Sequence, residues 1–125
     1  MDVNRPSIVA EVRAQFQRYE DALTANNLDV LSELFWAGPE AVRFGAGENL
    51  YGHDEIARFR TRRSATDLAR ELLRIEIATF GDDVAVASAE FRRLVSGVTG
   101  RQQQTWVRTP DGWRIVAAHI SLFSG

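Results

Sequence analysis

The sequence predicts an α+β domain, and three observations carry that prediction. Apolar residues in the first half recur at spacings of three and four, which builds the buried stripe of a helix. From about Leu68 the spacing changes to strict alternation, the signature of strands with one covered face. Short Gly, Asp and Pro clusters separate the alternating runs, so the strands follow one another as an antiparallel meander. Helices first and strands afterwards place the helices on one face of the sheet. A sheet covered in this way curls around its helices and leaves a cone-shaped cavity.

The first helix is "RPSIVAEVRAQFQRYEDALTANN", with Ile8, Val12, Phe16, Tyr19 and Leu23 on one stripe. Pro6 suits its first turn, and Asn26-Asn27 ends it and supplies a cap for the next. "LDVLSELFW" forms a second, short helix through Leu28, Leu31 and Phe35, stopped by Gly38-Pro39. In "EAVRFGAGENLYG", Val42 and Phe44 alternate with Ala41 and Arg43, so this is a strand, and Gly45 to Gly47 supplies a turn. "GHDEIARFRTRR" is a third helix with Ile56, Phe59, Arg60 and Arg63 on one face. "ARELLRIEIATF" alternates Leu73, Ile75, Ile77 and Thr79 against charged neighbours, with a helix as the competing reading. "VAVASAEFRRLV", "RQQQTWVRT" and "WRIVAAHISLF" complete the meander, the last two joined through Pro110-Asp111-Gly112.

Composition narrows the function classes. The 125 residues suffice for a single domain, expected over 1–125, and 45% hydrophobic with 26% charged residues is ordinary for a globular protein. A net charge of −2 gives no general attraction to nucleic acid or acidic membranes. No apolar run is long enough for a span or a signal segment, so a cytoplasmic protein is the expectation. With no cysteine and no lysine, thiol nucleophiles, Schiff bases and a phosphate-loop lysine are excluded. Phosphate-binding glycine motifs and nucleophile elbows are absent, and two distant histidines without a carboxylate cluster do not favour a metal.

Several positions invite a functional reading. Tyr19 lies on a core stripe, so its hydroxyl needs a partner, either a backbone carbonyl or a ligand. Arg43 points away from Val42 and Phe44, into solvent or into an enclosed space where its permanent charge would await an anion. Arg60 either snorkels to water or faces inward, while Arg63, near its helix end, favours water. His119 alternates with Trp113, Ile115 and Ala117 on one strand face, where a lone histidine is commonly structural, and Trp106 shares a face with Gln104 and Arg108 that lines either a cavity or the dimer interface. His53, opening the third helix, is expected to be exposed. Apolar residues on the uncovered face of the sheet favour a homodimer.

The segments "RYEDAL", "LFW", "VRFGAGENLYG", "EIARFRTRR" and "GRQQQTWVRTPDGWRIVAAHISLF" resemble the AtzH-like branch of the SnoaL-like, nuclear transport factor 2-like superfamily, over essentially the whole chain. The resemblance implies the cystatin-like cone, commonly dimeric, with a pocket between helices and curved sheet. It further implies cofactor-independent decarboxylation of an N-carboxylated urea, of the 1,3-dicarboxyurea to allophanate type, and a functional link to an amidase. By motif the family's catalytic pair falls on Tyr19 and Arg43; beside them Trp106 and His119 are expected on the same wall of the cavity and Arg60 at its mouth, as substrate-binding neighbours, with no metal or cofactor. The expected partner is a small anionic substrate, with neither nucleic acid nor membrane. Two rivals stand beside this reading. One is a non-catalytic dimeric pocket protein that binds a small anion or assists an amidase. The other is isomerase or dehydratase chemistry with Glu90 as an inward base.

Overall fold

A computed structural model describes residues 1–123. Three helices, α1 (Pro6–Thr24), α2 (Leu28–Leu34) and α3 (His53–Arg62), pack on a six-stranded, curved, unclosed mixed sheet. The strands are β1 (Val42–Phe44), β2 (Asn49–Tyr51), β3 (Arg70–Phe80), β4 (Val84–Arg93), β5 (Thr99–Thr109) and β6 (Gly112–Leu122). Their order is β2-β1-β6-β5-β4-β3, antiparallel throughout except for the parallel pairing of β1 with β6. This is the cone-shaped α+β fold that the helix-then-meander order predicts.

Local chemistry sets the elements. The stripe of α1 is buried through Ile8, Val12, Phe16, Tyr19 and Leu23. The Asn27 side chain accepts from the Val30 N–H at 3.3 Å and caps α2. That helix ends at Leu34, earlier than Gly38-Pro39 suggests, because Phe35 turns extended and bridges Ile115 of β6. The fully buried Phe35 ring thereby becomes part of the interior rather than of a helix. His53 is half-buried instead of exposed, since its Nε2 lies 2.8 Å from the Ser32 carbonyl and ties α3 to α2.

Two bulges alter the alternation read from the sequence. Between Leu72 and Arg74 the pairing with β4 slips, so Leu72 pairs with the buried Phe91 and Leu73 is half exposed. Between Thr105 and Trp106 the pairing with β6 slips past Val116, so Thr105 faces Ala117 and Trp106 faces Ile115. A one-residue slip reverses every later side chain. Trp113 and Ile115 point inward before it; Ala118 and Ile120 point inward after it.

Candidate functional site

The concave face of the sheet is floored with alanine and edged with polar groups. In β1, Ala41 and Arg43 are buried while Val42 and Phe44 are half-buried on the other face. Arg43 therefore points inward, and only 4% of it is exposed. The pairings place Arg43 beside Ala118, Ala118 beside Gln104, and Gln104 beside Ala87. Residues so paired share a face, so one row across the floor reads Arg43, Ala118, Gln104, Ala87.

The helices supply the opposite wall. Tyr19 of α1 is buried among core side chains, and Glu20 beside it is 5% exposed. From α3, Ile56 and Arg60 are both buried at the i, i+4 spacing that puts them on one face. Arg60 is only 2% exposed, so it lies inside rather than at a mouth, with its guanidinium over the Phe35 ring at 4.5 Å. The ring's negative face attracts the cation but offers no hydrogen-bond acceptor. Arg63 is half-buried, and its Nε and Nη2 are turned inward without a partner, where the sequence favours water.

Pairing within the chamber is uneven. Arg70 forms a two-pronged ion pair with Glu20, at 3.1 and 2.5 Å, and also donates to Gln102 Oε1 at 3.2 Å. Arg43 reaches Glu48 through Nη1 at 3.0 Å and lies over Phe59, while its Nε has no partner. All three guanidinium nitrogens of Arg60 are buried without a hydrogen-bond partner among the described residues. Burial pushes the Arg60 pKa down to about 10, the Tyr19 oxygen close by opposes that, and Arg43 and Arg63 add to it by repulsion. Arg63 is lowered as well, by burial first, with Arg43 and Arg70 repelling and Tyr19 and Glu48 opposing. Four guanidiniums, three of them buried and that of Arg63 half-buried, thus face two carboxylates, an excess of two positive charges.

Such an arrangement is costly by itself, because a desolvated cation without an acceptor loses its hydration and gains little in return. It becomes favourable when an anion enters, since charge-assisted bonds from a planar guanidinium are among the strongest available.

The structure thus brings Tyr19, Arg43 and Arg60 together. Trp106 is on the inner face and fully buried, but its indole N–H is committed to Gln104 Oε1 at 3.1 Å, which makes it a support for Gln104. His119 is not in the chamber. The slip at Val116 puts it on the outer face, exposed, with its ring edge-on to Phe44 at 5.9 Å. Glu90 is exposed on the outer face too, between Arg74 and Arg101, so it is not the inward base that isomerase chemistry needs. Glu20, Glu48, Arg70 and Gln102 were missed by the sequence reading, which placed Phe59 beside Arg60 and Gln104 beside Trp106 but gave neither a role. Glu20 had a signal, being four residues beyond Phe16 on the buried stripe.

A depression of about 840 Å³ lies on the outer face, lined by residues including Arg74, Glu76, Glu90, Arg101 and His119. Its arginines have acids or water at hand, as in the exposed Arg74–Glu76 pair, so it lacks the unmet demand of the interior. Among the described residues no group of three or more His, Cys, Asp or Glu could hold a metal, and no helix is long and apolar enough to cross a membrane.

Comparison with known proteins gives a family. A family model described as AtzH-like matches residues 1–125. The chain is similar to a protein of unknown function of the DUF3225 family from Pectobacterium atrosepticum, at 56% identity and TM-score 0.95 over 98% of this chain and 96% of that one. It is also similar to a cystatin-like fold protein from Burkholderia xenovorans, at 45% identity and TM-score 0.94, covering 100% and 98%. A nuclear transport factor 2-like superfamily protein from Salmonella enterica shares the fold, at 24% identity and TM-score 0.79, covering 95% and 93%. No curated protein matches the chain.

Proposed function

The chain belongs to the AtzH-like family, and from that premise we propose that it binds a small dianion inside the cone and decarboxylates it without a cofactor. The substrate class is an N-carboxylated urea, of the 1,3-dicarboxyurea to allophanate type. The observation that carries this reading is Arg60: a buried guanidinium with no carboxylate partner among the described residues, held beside Arg43 and Tyr19. An excess of two positive charges matches a substrate with two carboxylates.

The chemistry follows from where charge moves. Arg60 and Arg63, whose donors are free, take the carboxylates, and Arg43 faces the urea carbonyl from the sheet. The bond between nitrogen and the departing carboxyl carbon breaks, and its electron pair stays on nitrogen, delocalised into the adjacent carbonyl. Carbon dioxide leaves uncharged. A guanidinium fixed in a dry site stabilises the growing charge without having to reorganise, which is where such sites gain most. The Tyr19 hydroxyl delivers the proton to nitrogen and recovers one from water. While its oxygen is negative, Arg60 and Arg63 are the nearby cations that offset the charge.

The protein would work in the cytoplasm as a homodimer, with the outer face of the sheet meeting a second copy, and in functional connection with an amidase. The test is carbon dioxide release from 1,3-dicarboxyurea by the purified protein, with Tyr19→Phe and Arg43→Lys alongside. Turnover that falls in both variants supports the reading. An inert wild type whose melting temperature nevertheless rises with small dicarboxylates would make it a non-catalytic pocket protein instead. Equal rates in all three proteins would remove Tyr19 and Arg43 from the mechanism.

A further inference from the structure

The segment "RQQQTWVRT" has a role that anion binding does not account for. Gln102 and Gln104 are 2% and 1% exposed, on the inner face of β5, while Gln103 between them points outward to Ser88. A buried glutamine presents an acceptor on one side and two donors on the other, and its neighbours decide which way round it sits. Here both neighbours can only donate. The indole N–H of Trp106 fixes Gln104 Oε1, and the guanidinium of Arg70 fixes Gln102 Oε1. Neither amide can flip without setting donor against donor. Their NH₂ groups are therefore left over, and both are buried without a partner among the described residues.

We propose that Gln104, with Gln102 beside it, donates to an uncharged carbonyl of the ligand and so selects dianions that carry a carbonyl between their two carboxylates. The proposal rests on the anion-binding reading above and assigns residues that it leaves unused. The placement supports it. Gln104 and Arg43 flank Ala118 from neighbouring strands, about 10 Å apart at their backbones, since each strand step is roughly 4.8 Å. A carbonyl oxygen lying over the Ala118 methyl is within reach of both side chains. Neutral donors suit that position. They stabilise charge as it arises on the carbonyl during the reaction, yet they do not attract a third carboxylate. Trp106 acts here as a positioning residue, because it touches Gln104 and not the ligand.

Two probes separate this role from general anion binding. Acetone-1,3-dicarboxylate carries the central carbonyl; glutarate has the same length and charge without it. Calorimetric titration in the cold, with freshly dissolved acetonedicarboxylate, gives both affinities for the wild type, Gln104→Met and Gln104→Glu. One net hydrogen bond corresponds to a preference of about two- to tenfold. The wild type is expected to prefer acetonedicarboxylate by that factor, and both variants to bind the two probes alike. Gln104→Glu keeps an acceptor for the Trp106 N–H, so it reports even if Gln104→Met folds poorly. Equal affinities in the wild type, or a preference that survives in the folded variant, would overturn the role of Gln104 and leave the anion site standing. Binding of neither probe by the wild type would overturn the anion site, and this inference with it.

Discussion

Replacing Arg60 by Met should make the protein more stable and its site unable to function. The side chain is 2% exposed, its three guanidinium nitrogens have no hydrogen-bond partner among the described residues, and burial has taken its pKa down to about 10. At about 1.4 kcal/mol per pKa unit, the charged form costs the folded state on the order of 3 kcal/mol at neutral pH. Methionine removes that cost and fills a similar volume, but it forfeits the contact with Phe35, worth about 1–2 kcal/mol. A net gain of roughly 1–2 kcal/mol remains, and for a chain of this size each kcal/mol is worth about 3–5 °C in melting temperature. Calorimetry of Arg60→Met should therefore show a rise of several degrees. The same variant should lose the stabilisation that a dicarboxylate gives the wild type, about 2.7 kcal/mol at a concentration of 100 Kd. A melting temperature that falls by several degrees would refute the reasoning, since Arg60 would then be supporting the fold and not waiting for a ligand.

The remaining expectations use the same residues. Arg43→Lys keeps the charge but loses the planar fork and one or more charge-assisted bonds, so turnover should drop about ten- to a hundredfold, measured by carbon dioxide release. Tyr19→Phe should bind acetonedicarboxylate like the wild type while turnover falls, which a titration paired with the rate assay would detect. Glu20→Ala leaves Arg70 buried without its ion pair. A loss of about 3–5 kcal/mol in a urea melt is expected. A Cβ on Gly45 would meet Glu48 Oε1 at 1.7 Å, so Gly45→Ala should push that carboxylate off Arg43 and raise dicarboxylate affinity severalfold by titration. Above pH 10 the unfolded chain holds the Arg60 proton more tightly than the folded one, so its burdening of the fold fades as pH rises. The stability gap between Arg60→Met and the wild type should accordingly narrow above pH 10 in denaturant melts.

How much of this was legible in the sequence depended on periodicity. The stripe of α1 revealed Tyr19 as an inward residue, and the reversed polarity of "AVRF" showed that Arg43 stood apart from Val42 and Phe44. Periodicity fails where the backbone adds a residue. His119 looked like a neighbour of Trp113 and Ile115, and only the bulge at Val116 turns it to the outer face. Nothing in "RIVAAHIS" announces a bulge, because Val, Ala and Ala suit either face of a strand. Arg63 and Phe35 were misjudged for a related reason. Their surroundings depend on how α3 and the end of α2 dock on the sheet, a long-range matter that local spacing does not encode.

The unread glutamines show what the fold does with polarity. Two of the three residues in "QQQ" occupy the most protected face of the molecule, where a strand ordinarily carries Val, Ile or Leu. A sequence that selected only for stability would not place Gln102, Gln104 and Arg60 there with donors unspent. The unmatched buried groups named in the chamber, on Arg43, Arg60, Arg63, Gln102 and Gln104, are all donors. The carboxylate and amide acceptors there, on Glu20, Glu48, Gln102 and Gln104, each already have a donor from the protein. The imbalance therefore has a direction. It calls for a ligand rich in acceptors and carrying negative charge, and the fold meets the cost of holding those donors ready through its alanine floor and aromatic walls.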